Sequence, residues 1–157
     1  RVGRHERHFI MFTGIHLVDT ALAFLPPPRR VEAQRLRGGK GEACRAEIEC
    51  SGGATARLEI DADADCTEER YTLHGEGYEA RIDTGRSVVD ISDRGGPALH
   101  WEVPSDWPPH ITGGSCGETS AFLDFIREKR PCRPDLSDAL TSMRVTEALS
   151  AGGERLF

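Results

Sequence analysis

A histidine and an aspartate three residues apart, His16 and Asp19, are the side chains in this sequence whose types and spacing best suit chemistry. They lie in segment 13–26, where apolar residues recur at helical spacing before three consecutive prolines. The pattern predicts a short helix with both polar groups at its start. An imidazole there can exchange a proton near neutral pH. His16 is therefore the first residue to consider for chemistry, the alternative being that it only lines the start of the helix.

Two further residues are candidates for contact with a substrate. Asp19 is the first, although a carboxylate in a first turn also interacts favourably with the helix dipole, and we favour that role over a catalytic one. Trp107 is the second, and it lies with His110 in a proline-rich loop, residues 104–114. That loop either borders a ligand or is an ordinary surface loop.

Composition and charge exclude several classes of protein. Hydrophobic residues make up 38% of the 157 positions and charged residues 29%, as in a globular domain with its own core. The net charge of -6 argues against nucleic acid or an anionic membrane as the main partner. The longest apolar stretch, Ala21 to Leu25, is far shorter than the roughly 20 residues of a membrane span. Because the chain begins at Arg1 without methionine, we expect a piece of a longer polypeptide.

The cysteines indicate neither a disulfide framework nor a metal site. Their number, five, is odd, and no Cys-x-x-Cys pair occurs. Cys44 and Cys50 fall on one face of a predicted strand, where a buried thiol behaves as a small hydrophobic group. Reduced thiols are typical of the cytoplasm, which is the expected location.

Strand patterns occupy the middle of the chain. Apolar and charged residues alternate over 44–50 and 54–62, on either side of a glycine turn, which predicts a β-hairpin. Its charged face carries four carboxylates that we expect to be solvated or to lie between subunits: Glu47, Glu49, Glu59 and Asp61. Shorter alternating runs follow up to residue 103, and in the last of them His100 falls on the polar face.

The two ends of the chain complete the predicted fold. The apolar run 8–12 indicates a buried strand or an extended lead-in. After residue 114, Ser115 and Glu118 have the spacing of a capping box, and Asp135 is a candidate N-cap for a last helix that ends at Gly152. Together the patterns predict an α+β fold: an open, mainly antiparallel sheet of about six strands with helices packed on one face.

One glycine motif has the letters of a dinucleotide-binding loop, Gly75-x-Gly77-x-x-Ala80. The residues on both sides alternate with a period of two, so the motif predicts a hairpin turn with no helix to hold a pyrophosphate. We therefore expect no cofactor-binding residues in this chain, and no metal ligands.

The segment Gly14-x-His16-x-x-Asp19, followed by an apolar helix, resembles the start of the C-terminal domain in the Gfo/Idh/MocA (glucose–fructose oxidoreductase and inositol dehydrogenase) family. Glu118-x-x-x-Phe122 and the closing run 145–149 are also similar to that domain. The resemblance covers roughly residues 10–152. At the position four before His16, where the family usually has an acidic residue, this chain has Phe12.

The resemblance implies a function. Residues 1–157 would be one substrate-binding and oligomerisation domain of a two-domain enzyme whose nucleotide-binding Rossmann domain is absent from this chain. The parent enzyme would use NAD or NADP, His16 would transfer the proton of a sugar, polyol or related hydroxy compound, and the sheet would form a homodimer or higher oligomer. Without the Rossmann domain we expect no activity.

Two other hypotheses stay open. The chain could belong to a family relative that has lost redox activity, with Phe12 as its marker, and that binds a ligand or partner without turnover. It could also be an α+β scaffold whose open sheet only mediates assembly.

Overall fold

The computed structural model describes residues 9–36, 42–64, 68–93, 98–129, 131 and 133–157. The chain divides into two compact units, residues 1–65 with 134–157 and residues 66–133. In chain order, the described elements of both are a π-helical turn (Ile10–Gly14), α1 (Ile15–Ala23), β1 (Pro28–Arg35), β2 (Ala43–Cys50), a 3-10 turn (Ser51–Gly53), β3 (Thr55–Asp61), β4 (Arg70–His74), β5 (Tyr78–Asp83), β6 (Val88–Asp93), β7 (Leu99–Glu102), α2 (Pro109–Thr112), α3 (Ser115–Glu128), α4 (Leu136–Ala151) and β8 (Gly153–Leu156).

The first unit is an antiparallel sheet of order β3-β2-β1-β8, covered on one face by helices. Helix α4 packs on β1, and both α1 and the π-helical turn pack against α4. Alternation along the strands turns every second side chain toward these helices. The buried core comprises Ile10, Val18, Ala21, Val31, Ala33, Cys44, Ala46, Ile48, Cys50, Leu58, Ile60, Val145, Ala148 and Leu149.

The second unit is an antiparallel meander, β4-β5-β6-β7, together with α2 and α3, which contact each other. Its first hairpin turns over residues 75–77, as the glycine motif predicts. Gly77 has φ +91, a conformation that a residue with a β-carbon rarely adopts, and the Tyr78 ring lies over Gly75, whose own β-carbon would be 1.8 Å from it. The glycines of this motif therefore serve a hairpin.

The predicted fold class is confirmed, with differences in detail. The structure is α+β and its strands are antiparallel, but the described residues form eight strands in two sheets of four, where the patterns indicated about six in one sheet. The predicted hairpin corresponds to β2 and β3. Strand β8 and the short helix α2 were not predicted. The glycine turn at 38–41 lies outside the described residues.

Three local predictions have clear outcomes. Residues 9–12 are helical and not extended, because the π-helical turn buries Ile10 completely in the core. The capping box at Ser115 is wrong: Gly114, at φ +81, is the N-cap of α3 and makes no side-chain cap. The capping role of Asp135 is confirmed, and its carboxylate accepts hydrogen bonds from the backbone N–H groups of Ser137 and Asp138.

Among the described helices, none combines the length and the apolar composition that crossing a membrane requires.

Candidate functional site

His16 is the second residue of α1, and its side chain is exposed to solvent. The helical backbone already begins at the π-helical turn, so His16 lies within a continuous helical segment and not at its entrance. Within the described part of the chain, no hydrogen bond or ion pair engages its imidazole. The imidazole thus faces outward from the core of the first unit.

The π-helical turn that precedes His16 is held tightly against the sheet. Such turns are rare and are frequently found at functional sites. Its last residue, Gly14, is buried, and a β-carbon there would lie 3.0 Å from the Cδ1 atom of Ile60 on β3. The glycine two residues before His16 therefore allows a close approach between helix and sheet.

Asp19 does not lie in the first turn of α1, where it was expected. It lies in the second turn of α1, half-buried, and the first turn contains no acidic residue. Its Oδ1 atom accepts a hydrogen bond of 2.6 Å from the hydroxyl of Ser142 on α4. The expected dipole role is therefore replaced by a bridge between the two helices, which no local pattern reveals because the partners are 123 residues apart.

The bridge leads to a prediction. Ser142 is buried, so Ser142→Ala would leave the half-buried Asp19 carboxylate without this donor. Hydrogen bonds to charged groups contribute about 1.5–3 kcal/mol, and we expect the free energy of unfolding to fall by about 2 kcal/mol in urea denaturation. Ser150→Ala, at a half-buried position of the same helix, should change it by less than about 0.5 kcal/mol. Equal effects of the two substitutions would contradict a specific bridge.

Trp107 lies in the second unit, where its ring meets Trp101 of β7 edge to face. The ring centroids are 6.4 Å apart at an interplanar angle of 66°, and both side chains are about half exposed. These are the two tryptophans of the chain. The structure thus brings His16 and Asp19 together on one helix of the first unit, and Trp107 together with Trp101 in the second. The pairing was missed because it joins a strand to a loop.

His100 is on the polar face of the second sheet, as its alternation predicts. Its Nδ1 atom is 2.7 Å from Oδ1 of Asp90, its partner across β6 and β7. The hydrogen bond to Asp90 and the negative charge of that carboxylate raise the pKa of His100 above its usual value. This pairing gives His100 a structural partner on an exposed face.

The outer face of the first sheet carries charges that pair across the strands. Arg30 binds Glu49 at 2.5 Å and Glu154 at 2.8 Å, so it joins β1 to both β2 and β8. The same arginine, first by its hydrogen bond and then by its charge, lowers the pKa of Glu154. Glu47 and Glu59 pair with arginines of the neighbouring strand. This face lines an open concavity of about 800 Å³. Its carboxylates form part of a charged surface of the sheet.

The cysteines of β2 are buried on one face, as predicted. Cys44 and Cys50 are free thiols within the core. Burial, with a smaller contribution from the charge of Glu42, raises the pKa of Cys44 to about 11, so its thiol is protonated at neutral pH. Cys66 and Cys132 lie outside the described residues. Within the part of the chain that the structure describes, no group of three potential ligands is placed to hold a metal ion.

The comparisons with known proteins concern the fold. No protein-family profile and no curated protein matches the chain. Among solved structures, a dehydrogenase from Chromobacterium violaceum is 23% identical, with a TM-score of 0.79, over 91% of this chain and 45% of its own.

Two further structures extend the likeness. A UDP-N-acetylglucosamine 3-dehydrogenase from Acidithiobacillus ferrooxidans is 18% identical, with a TM-score of 0.75, over 90% of this chain and 46% of its own. An aldose-aldose oxidoreductase from Caulobacter crescentus is 21% identical, with a TM-score of 0.71, over 94% of this chain and 47% of its own. The chain spans about half the length of these proteins, and at this identity it shares with them the fold of that half.

Proposed function

We propose that residues 1–157 are the C-terminal, substrate-binding and oligomerisation domain of an NAD(P)-dependent oxidoreductase of the Gfo/Idh/MocA type. The observation that carries the proposal is an exposed imidazole, that of His16, in the Gly14-x-His16-x-x-Asp19 motif of a fold shared with dehydrogenases. The fold likeness covers about half of each of these proteins. This coverage supports the proposal, because one domain of a two-domain enzyme would match about half of its length. The free, buried thiols fit a reducing compartment, and we place the protein in the cytoplasm.

The substrate class is a sugar, a polyol or a related hydroxy compound. In the oxidation, the C–H bond of the carbinol carbon breaks and its electron pair leaves with the hydrogen as hydride, while the hydroxyl proton goes to the imidazole of His16. A carbonyl group forms. NAD or NADP, held by the missing domain, supplies the hydride acceptor. The contribution of this chain is a general base that also returns the proton in the reverse direction.

Asp19 and Trp107 have different parts in the proposal. Because Asp19 accepts a hydrogen bond from Ser142, its main contribution is to hold α1, with one carboxylate oxygen remaining for a substrate hydroxyl. Trp107, in the second unit, is a separate candidate for contact with a sugar, since its half-exposed indole suits the apolar face of a sugar ring. The experiment for the whole proposal is NAD(P)H formation by the full-length protein with a panel of sugars and polyols.

A second candidate function is a redox-inactive relative that binds its ligand without turnover. Phe12 favours it: the ring stands where the family usually has an acid, and the residue is 74% exposed in the π-helical turn. The same panel decides between the two, because saturable ligand binding without any NAD(P)H formation would favour the inactive relative.

The outer face of the first sheet is the proposed interface between copies. Among its described residues, it mixes three arginines with a larger number of carboxylates, and such a pattern can complement itself across a two-fold axis.

Sedimentation velocity tests the interface. We expect a dimer or higher oligomer, and Arg57→Glu should weaken it about tenfold or more, since it adds a like charge to an already acidic face. Arg86→Glu, at an exposed position of the second unit, should leave the oligomer unchanged. A monomer before substitution would exclude the interface.

A further inference from the structure

Glu42 is a buried carboxylate that the proposed chemistry does not use. It directly precedes β2 and is 7% exposed. Its Oε2 atom accepts a hydrogen bond of 3.1 Å from the backbone N–H of Ile10, the first residue of the π-helical turn. Its Oε1 atom lies 3.7 Å from Nη2 of Arg35, whose side chain is half exposed. The carboxylate therefore sits between a backbone donor and a cation.

This arrangement is energetically demanding. Burying a carboxylate costs free energy unless the group is hydrogen-bonded and paired with a cation. Most glutamates therefore lie at the surface. The first N–H groups of a helical segment have no partner within the helix. Glu42, which precedes β2 and lies 32 residues later in the chain, accepts the hydrogen bond of one of them, the Ile10 N–H. The carboxylate thus caps the helical segment by a tertiary contact.

The cap is connected to His16 through continuous helical backbone. Phe9, Gly14 and Ile15 all have right-handed helical torsions, so the π-helical turn leads into α1 without a break. A π-helical turn contains more residues per turn than an α-helix. Relaxation of residues 10–14 to α-helical geometry would rotate His16 about the helix axis. Gly14, packed on Ile60, holds the other end of the same turn.

We propose that Glu42 is a positioning residue of this site: its carboxylate fixes the π-helical turn at Ile10 and thereby sets the direction in which His16 leaves α1. That this direction matters for turnover rests on the proposed function. The link from Glu42 to the π-helical turn and to the His16 ring is independent of the proposed function.

The test compares Glu42→Ala, which removes the acceptor, with Glu42→Gln, which keeps an acceptor oxygen without the charge. Glu147→Gln is the matched control, because Glu147 is also paired with an arginine but lies exposed on α4, away from the π-helical turn's carboxylate contact. The readouts are hydrogen exchange at the Ile10 amide and the NMR shifts of the His16 ring, in protein labelled at isoleucine and histidine, with Ile10→Val and His16→Gln assigning the signals.

We expect Glu42→Ala to speed exchange at Ile10 by about tenfold or more, as one lost hydrogen bond of about 1.4 kcal/mol implies, and to move the His16 ring signals. Glu42→Gln should restore much of both, and Glu147→Gln should change neither. In the full-length protein, Glu42→Ala should lower kcat about tenfold with KM within about twofold.

Two results would overturn the inference: unchanged Ile10 exchange and His16 shifts in folded Glu42→Ala, or, if that variant does not fold, the same unchanged readouts in Glu42→Met, which keeps the length of the side chain without an oxygen acceptor. Failure of the proposed function is a separate outcome. It is seen when His16→Ala leaves turnover unchanged, and the exchange and shift data still decide the role of Glu42.

Discussion

Replacing His16 with alanine in the full-length protein should lower turnover by about 10²- to 10⁴-fold, the usual contribution of a general acid or base. The stability should barely change. The side chain is exposed, and no described partner would be left unpaired by its removal, so we expect a change in unfolding free energy within about 0.5 kcal/mol. Turnover is measured as NAD(P)H formation and stability by thermal denaturation of the same preparations.

A second exposed histidine provides the control for this experiment. His74, on β4 of the second unit, pairs with Glu79 at 3.2 Å, and His74→Ala should retain full turnover. The opposite pattern for His16→Ala, a large loss of stability with unchanged turnover, would assign the residue a structural role. An equal loss of turnover in both variants would show that the effect is not specific to the proposed base.

The parts of the fold that follow from local patterns were predictable. The alternation on either side of residues 51–53 placed the β2–β3 hairpin, and the side chain of Asp135 placed the start of α4. Both depend on residues within a few positions of one another. Strand β8 depends instead on tertiary pairing with β1, where Arg30 faces Leu156, and four residues after a helix carry too little pattern to show it.

The site divides in the same way. The position of His16 on a helix beside an apolar stripe could be predicted, but the π-helical turn before it could not, since an apolar run of five residues fits a strand equally well. The partners that anchor this helical segment are distant in sequence. Glu42 accepts a hydrogen bond from the Ile10 N–H, and the Ser142 hydroxyl donates one to Asp19. Both partners come later in the chain than the helical segment that they hold.

Helix α4 is the element on which this arrangement depends, and Leu149 tests it. Its side chain is 0% exposed within the core of the first unit, and α4 packs on β1, β2 and α1. Leu149→Ala removes buried methyl groups and leaves a cavity, so we expect the free energy of unfolding to fall by about 2–5 kcal/mol in urea denaturation.

Leu136→Ala is the matched control, since it makes the same change in the same helix at a residue that is 90% exposed, and it should cost less than about 0.5 kcal/mol.

Because α4 also carries Ser142, the loss of the Leu149 side chain should loosen the hydrogen bond to Asp19. The free energy lost in the double variant, Leu149→Ala with Ser142→Ala, should therefore be less than the sum of the two single losses. Strict additivity would show that the core packing of α4 and its bridge to α1 act independently, and a Leu149→Ala protein as stable as the control would contradict the central place of α4 in the core.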